Sequence, residues 1–361
     1  MDARISGAEP PYIGESHASN RLPIPPGFRK LGFAKDIYGV LQELGVDADL
    51  IIGEAGFQPE FFRNGDNLLP VTMLRELLLH CVRRTNCAHF AILVGQKATL
   101  DSLSLLGPAM RACGNLETAL RTLEKHHRLL DRGAVIGLEV DDGVAMVNYS
   151  PYGPGGQGAW VVAEAWLASM AQFMRDLCGP NWVPAEVLIP RRPPKKTEPY
   201  SAFFSAPVRF NQEIAALVFP ASWLQASLAG ADEDAHRALE PCILQLEQSC
   251  PADFADDLRR LLRTRLVKRR YFAADAAKCF SVHRRTLSRH LKAASTGFRA
   301  VSDEVKFGVA QQLVGDTDMR LTQISAVLDF SEPAAFTRAF ERWSGVTPSA
   351  WRSMQKAESL L

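Results

Sequence analysis

The sequence predicts two unlike parts: an α+β N-terminal domain with a small antiparallel sheet, and an all-α C-terminal domain with two helix-turn-helix units joined by a long helix. Three observations lead there. Residues 134–150 switch from helical to strand-like patterning, no strand-like run follows Asp253, and a two-helix pattern ending at Leu291 returns 49 residues further on. At 361 residues the chain also exceeds what one compact core usually serves.

Five prolines (Pro10, Pro11, Pro23, Pro25, Pro26) and few large apolar residues predict a disordered tail over 1–27. Order is expected from about Lys30, where Phe33, Ile37, Val40, Leu41 and Leu44 recur at helical spacing before a stop at Gly45. A second helix follows Pro70, with Met73, Leu74, Leu77, Leu78, Cys81 and Val82 on one face, and Asn115 caps a third. Val135–Val140 and Val144–Tyr149 flank Asp141-Asp142-Gly143, which reads as a hairpin. The apolar stretch from Trp160 to Cys178 is interrupted by Glu164, Gln172, Arg175 and Asp176, so it predicts a buried helix, not a membrane span. Short β-like runs follow at Glu186–Ile189, Val208–Phe210 and Leu217–Phe219. Arg191-Arg192-Pro193-Pro194-Lys195-Lys196 reads as a surface loop. The N-terminal domain is therefore expected over 28–240, a polar linker over 241–255, and the second domain over 256–361.

Charge divides along the chain. From residue 252 onward 19 lysines and arginines face 12 acids, and the remainder is net acidic; residues 258–300 hold 13 basic residues and one acid, Asp275. A basic domain on a mildly acidic body implies a polyanionic partner, and the body can compete with that partner for the basic face. Seven cysteines without a CxxC pair, and no histidine at zinc-finger spacing, predict reduced thiols and no metal or cofactor. With no export signal in the sequence, a cytoplasmic protein without membrane contact is expected.

Ala276 to Leu291 reads as a first unit (about 273–293): small residues on a short helix, a tight turn, then a helix with Val282, Leu287 and Leu291 inward. Arg284, Arg285, Ser288, Arg289 and Lys292 are left facing outward, a set suited to the major groove of double-stranded DNA. The second unit (about 321–344) places Phe336, Phe340 and Arg338 where the first has Leu287, Leu291 and Arg289. Its candidate DNA contacts are Pro333, Ala334, Thr337 and Arg338, with Ser331 as the expected N-cap and Pro333 in the first turn. Because Pro333 and Ala334 stand where polar readers could sit, this unit is expected to position phosphates and the first to discriminate bases.

These residues resemble the AraC/XylS transcription regulators. The resemblance rests on Thr286-Leu287-Ser288-Arg289, on a connecting helix from about Phe298 to Val314, and on the signature Ile324-x3-Leu328-x-Phe330-Ser331-x4-Phe336-x-Arg338-x-Phe340-x2-Trp343-x-Gly345-x2-Pro348-x2-Trp351-Arg352. The turns of that family usually hold glycine in a left-handed conformation; Ser281 and Asp329 replace it here. The N-terminal part is similar to the arabinose-binding-type sensor domain of the OruR/VirS-like branch, through Gly45–Phe57, Leu106-Gly107-Pro108, Val208-Arg209-Phe210 and Leu217-Val218-Phe219-Pro220. The resemblance implies a transcription regulator controlled by a small-molecule effector, often an amino acid or related metabolite, with a possible homodimer and RNA polymerase as a partner.

Two alternatives stand beside this reading. One is a constitutive DNA-binding regulator whose N-domain is a structural dimerisation unit; the more distant one is a DNA-binding unit fused to an enzyme. No Gly-x-Ser-x-Gly elbow, phosphate-binding glycine loop or His-Glu-x-x-His occurs. His126 and His127, between Lys125 and Arg128, predict a solvated or partly packed role. Trp160 and Glu164, one helical turn apart, are the candidate effector residues, since an acid beside an aromatic ring can take an amino or guanidino group; such an acid more often pairs with an arginine of its own domain.

Overall fold

The computed structural model describes residues 24–151, 158–249, 253–267, 289, 291–293 and 295–358. In chain order the N-terminal domain comprises β1 (Phe28–Lys30), α1 (Ile37–Glu43), α2 (Ala48–Glu54), β2 (Leu68–Pro70), α3 (Val71–Thr85), α4 (Phe90–Gly95), α5 (Leu106–Arg111), α6 (Leu116–His126), β3 (Ala134–Asp141), β4 (Val144–Pro151), α7 (Trp160–Cys178), β5 (Glu186–Leu188), α8 (Glu198–Phe204), β6 (Val208–Arg209), β7 (Ala215–Pro220) and α9 (Glu233–Ser249). The C-terminal elements are α10 (Phe254–Val267), α11 (Phe298–Asp316), α12 (Leu321–Val327), α13 (Pro333–Ser344) and α14 (Pro348–Glu358).

Local chemistry sets several boundaries. Asn115 accepts from the Thr118 amide at 2.9 Å and starts α6, as its sequence position predicts. Asp142 and Gly143, both at positive φ (43° and 77°), make the two-residue turn that pairs β3 with β4 in the register Leu138 opposite Val147. The larger sheet runs β3-β4-β7-β5-β6 and is antiparallel except at β5–β6, which pair in parallel, while β1 and β2 form a separate antiparallel pair. α7 lies in the middle of the domain, buried on nearly every side, and this explains its unbroken apolar text. α4 crosses it at Gly95, where an added Cβ would stand 2.2 Å from the Ala165 carbonyl oxygen.

Three N-terminal expectations need correction. Ile24, assigned to the tail, is buried, and its carbonyl accepts from Arg132 at 2.9 Å. Residues 241–249, expected as linker, are the second half of α9; Ile243 is buried in the N-terminal core, and the acids read as linker composition sit in the helix's favoured first turn as Glu233 and Asp234. His126 and His127 are both buried: His126 meets Glu247 at 2.9 Å, and burial pushes His127 down to about 4.

The C-terminal core gathers Leu258, Leu262, Leu291, Val301, Val305, Leu313, Ile324, Leu328, Phe336 and Phe340. Much of the first helix-turn-helix unit, residues 268–288, lies outside the described residues. In the second unit Asp329 takes φ 57°, the left-handed turn conformation for which glycine is usual. The N-cap is Glu332 and not Ser331: Pro333 occupies the first turn, Glu332 holds the extended cap backbone, and it makes no side-chain cap bond.

The two domains meet through charges of unexpected polarity. The acidic body contributes arginines and the basic domain contributes acids: Arg132 pairs with buried Asp256 at 2.8 Å, Arg128 with Asp257 at 3.8 Å, and Arg192 with Asp318 at 2.9 Å. The expected competition of body acids for the basic face is not the arrangement seen at these ion pairs. Regional net charge is a sum over residues and does not say which ones meet. The Arg191–Lys196 loop is correspondingly more than a surface excursion. Its exposed part is Pro193, Lys195 and Lys196, while Arg191 and Arg192 are engaged with the two domains.

Candidate nucleic-acid interface and sensor cage

α13 is anchored by Phe336 and Phe340, both fully buried and edge-to-face with each other at 5.9 Å. That anchoring turns Pro333, Ala334 and Arg338 to the exposed side and leaves Thr337 half-buried, its hydroxyl donating to the Pro333 carbonyl at 3.1 Å. Arg338 pairs with Glu332 at 3.1 Å across an exposed surface, a contact of little strength in water. Of the first unit's candidate readers, Arg289 and Lys292 are exposed beside buried Leu291, and Arg284, Arg285 and Ser288 lie outside the described residues.

The end of α11 carries a cluster of polar contacts. Helix C-termini leave carbonyl oxygens without intrahelical partners and concentrate partial negative charge. Two arginines answer that need. Arg352 donates to the Val314 and Met319 carbonyls at 3.1 and 2.7 Å. Arg192, from the other domain, donates its guanidinium to the Gly315 and Thr317 carbonyls at 2.6 and 3.0 Å and its backbone amide to the Asp316 carbonyl at 2.7 Å. The Asp316 side chain is buried, accepts from the Gly158 amide at 2.9 Å, and is pushed up to about 7 by that burial.

Trp160 and Glu164 do come together, around the chain's own Arg191. The Arg191 guanidinium lies 3.6 Å from the Trp160 ring centre and 3.1 Å from the Glu164 carboxylate. The Tyr200 hydroxyl donates to the Ala88 carbonyl at 2.9 Å and lies 3.3 Å from Glu164. The Glu164 side chain is fully buried, and burial raises its carboxyl to about 7 even beside the guanidinium.

The profile described as the arabinose-binding domain of AraC transcription regulators, N-terminal, matches residues 45–228, and a helix-turn-helix domain profile matches residues 276–354. The chain belongs to the AraC-type transcription regulators. It is similar to the Ornithine utilization regulator of Pseudomonas aeruginosa, at 26% identity over 332 residues, 89% of this chain and 95% of that protein. It is also similar to the HTH-type transcriptional regulator VirS of Mycobacterium tuberculosis, at 23% identity over 320 residues, 87% and 93% of the two chains. The crystal structure of the transcriptional regulator CdpR from Pseudomonas aeruginosa aligns at 19% identity and a TM-score of 0.46, covering 89% of this chain and 98% of that one.

This AraC-type regulator is thus a DNA-binding protein and not an enzyme, with an α+β domain of arabinose-binding type in front of its helical domain. Among the described residues no helix is long and apolar enough to cross a membrane, and no cluster of His, Cys, Asp and Glu could hold a metal ion. Sequence reading of the AraC signature included Arg352 but gave it no task; its task here is to close the end of α11. Arg192 and Asp316 were missed outright, because a contact between residues 124 positions apart leaves no periodic trace.

Proposed function

We propose that the protein is a sequence-specific regulator of transcription whose DNA binding is controlled by a small metabolite held in the N-terminal domain. The observation that carries the reading is the contact of Arg192 with the end of α11: a residue of the arabinose-binding-type domain is bonded to the helix that joins the DNA-reading units. A ligand that favours one arrangement of the first domain then changes the population of the second that is available to DNA, by no more than its differential affinity. One relative is named for ornithine utilization, and an amino acid or amine is the effector class proposed here. Arg289, Lys292 and Arg338, with Arg284, Arg285, Ser288 and Thr337, are the proposed contacts to double-stranded DNA. Homodimerisation and contact with RNA polymerase belong to the same reading.

A thermal-shift screen of amino acids, amines and small organic acids on the full chain tests sensing, since a ligand bound only by the folded state raises its melting temperature. Gel-shift titration of promoter fragments with and without each hit tests control. A chain stabilised by no compound, or one whose operator affinity ignores every hit, leaves the constitutive regulator as the better reading.

A further inference from the structure

Arg191 is the arginine of the same domain that such an acid ordinarily pairs with, and it fills the place a ligand cation would take. Its guanidinium is stacked on Trp160 and paired with Glu164; the Arg191 side chain is 14% exposed, whereas that of Glu164 is fully buried. A fully buried carboxylate beneath an aromatic face, with the Tyr200 hydroxyl and the Ala88 carbonyl beside it, is an arrangement of acceptors and π-density that selects cations. We propose that Arg191 is a tethered stand-in for the effector: the cage of Trp160, Glu164, Tyr200 and the Ala88 carbonyl takes the guanidinium or primary ammonium of a small ligand, and displacement of Arg191 loosens the Arg192 clasp on α11. This rests on the sensing role proposed above and names its ligand chemistry and its route.

The exchange is balanced in charge. One cation leaves the cage for water and another enters, so Glu164 is never left buried and unpaired, the outcome that makes breaking such pairs expensive. A neutral or anionic group has no comparable entry. The route is short: one peptide bond followed by hydrogen bonds. Arg191 and Arg192 share a peptide bond, the Arg191 Nε donates to the Arg192 carbonyl at 3.1 Å, and the Arg192 amide donates to the Asp316 carbonyl. The segment leading into α7 is tied to the same residue: Gly158, two positions before Trp160, donates to the Asp316 carboxylate. The occupant's loop and the segment that leads into α7 are therefore both hydrogen-bonded to Asp316, at the end of the helix between the DNA-reading units.

The test uses full-length protein and two probes of one shape, ethylguanidinium and its neutral isostere ethylurea, read by calorimetry and thermal shift. Because Arg191 competes from a tether, wild-type protein should bind ethylguanidinium weakly, and Arg191→Met, which keeps an apolar contact to Trp160, should bind it at least about tenfold more tightly. Arg191→Ala is the second variant; in either one ethylguanidinium should restore melting temperature where ethylurea does not. Adding Glu164→Gln should abolish the preference. Hydrogen exchange at residues 313–320 should rise when ethylguanidinium binds wild-type protein and should already be raised in Arg191→Met. Equal affinity of wild type and Arg191→Met, equal binding of ethylurea, or binding that survives Glu164→Gln overturns the proposal. A screen hit whose stabilising effect is unchanged by Glu164→Gln would leave sensing intact and move it to another site, whereas the absence of any stabilising compound strikes at sensing itself.

Discussion

Arg338 is held by a weak neighbour, Glu332, with both side chains largely in water. Such a pair contributes roughly 0–1 kcal/mol and is surrendered readily to a phosphate. Arg338→Ala should therefore weaken binding almost uniformly across DNA sequences and lower the salt slope of binding by about 1, as a phosphate contact requires; a selective loss at one base position would instead assign it to base reading. Titration of buried groups belongs to the same scale. Glu164 and Asp316 are both raised to about 7 by burial, so each stabilises the fold fully below the ordinary carboxyl range and loses that contribution as pH climbs through 7. His127, lowered to about 4, has the opposite sense: its contribution is complete above 6.5 and is lost as pH falls through 4. The windows overlap, and two carboxyls outweigh one imidazole, so thermal melts across pH 4–8 should show stability falling as pH rises toward 7, a fall that Glu164→Gln should lessen. Each such group changes the slope by at most about 1.4 kcal/mol per pH unit.

Two elements carry defined mechanical liabilities. At the α4–α7 crossing Gly95→Ala would drive a methyl group to 2.2 Å from the Ala165 carbonyl oxygen and 2.6 Å from the Ala168 Cβ. Chemical denaturation should register a loss of roughly 1–3 kcal/mol, the usual cost of overpacking a close helix contact. In the turn of the second unit Asp329→Gly relieves a left-handed residue at φ 57°, so the C-terminal domain should gain up to about 1 kcal/mol, less whatever Asp329 gives by attracting Lys306. Elements of this kind were legible in the sequence to the extent that their causes are local. The Asn115 cap, the Asp142-Gly143 turn and the strands β3 and β4 that it joins are set by neighbours within a few positions, and so is the spacing of Phe336 and Phe340 on α13. The second half of α9 was missed because its helicity is underwritten by Ile243 packing into a distant core, and Pro241 argued locally against it. The cap moved from Ser331 to Glu332 because both precede a proline and only the backbone decides between them. In the cage, the acid and the aromatic were visible one turn apart, but nothing near them in sequence identified Arg191 as the cation they hold.

Over the whole molecule, the interdomain ion pairs among the described residues join arginines of the acidic body to acids of the basic domain. A fragment beginning at residue 252 should accordingly retain DNA binding, with affinity falling steeply as salt rises. A fragment that is helical by circular dichroism yet inert toward DNA at low salt would show that the N-terminal domain supplies part of the interface. The capping of α11 by Arg192 has a further consequence for gauge. The helix between the two reading heads is finished, at one end, by a residue of the other domain, which the proposed exchange would release. A ruler whose last graduation is clamped measures one length; unclamped, it acquires a tolerance. Operators whose two half-elements are separated by one base pair more or fewer than the best spacing should be rejected sharply by wild-type protein and accepted more evenly by Arg192→Ala, when affinities for the spacing series are compared at fixed salt.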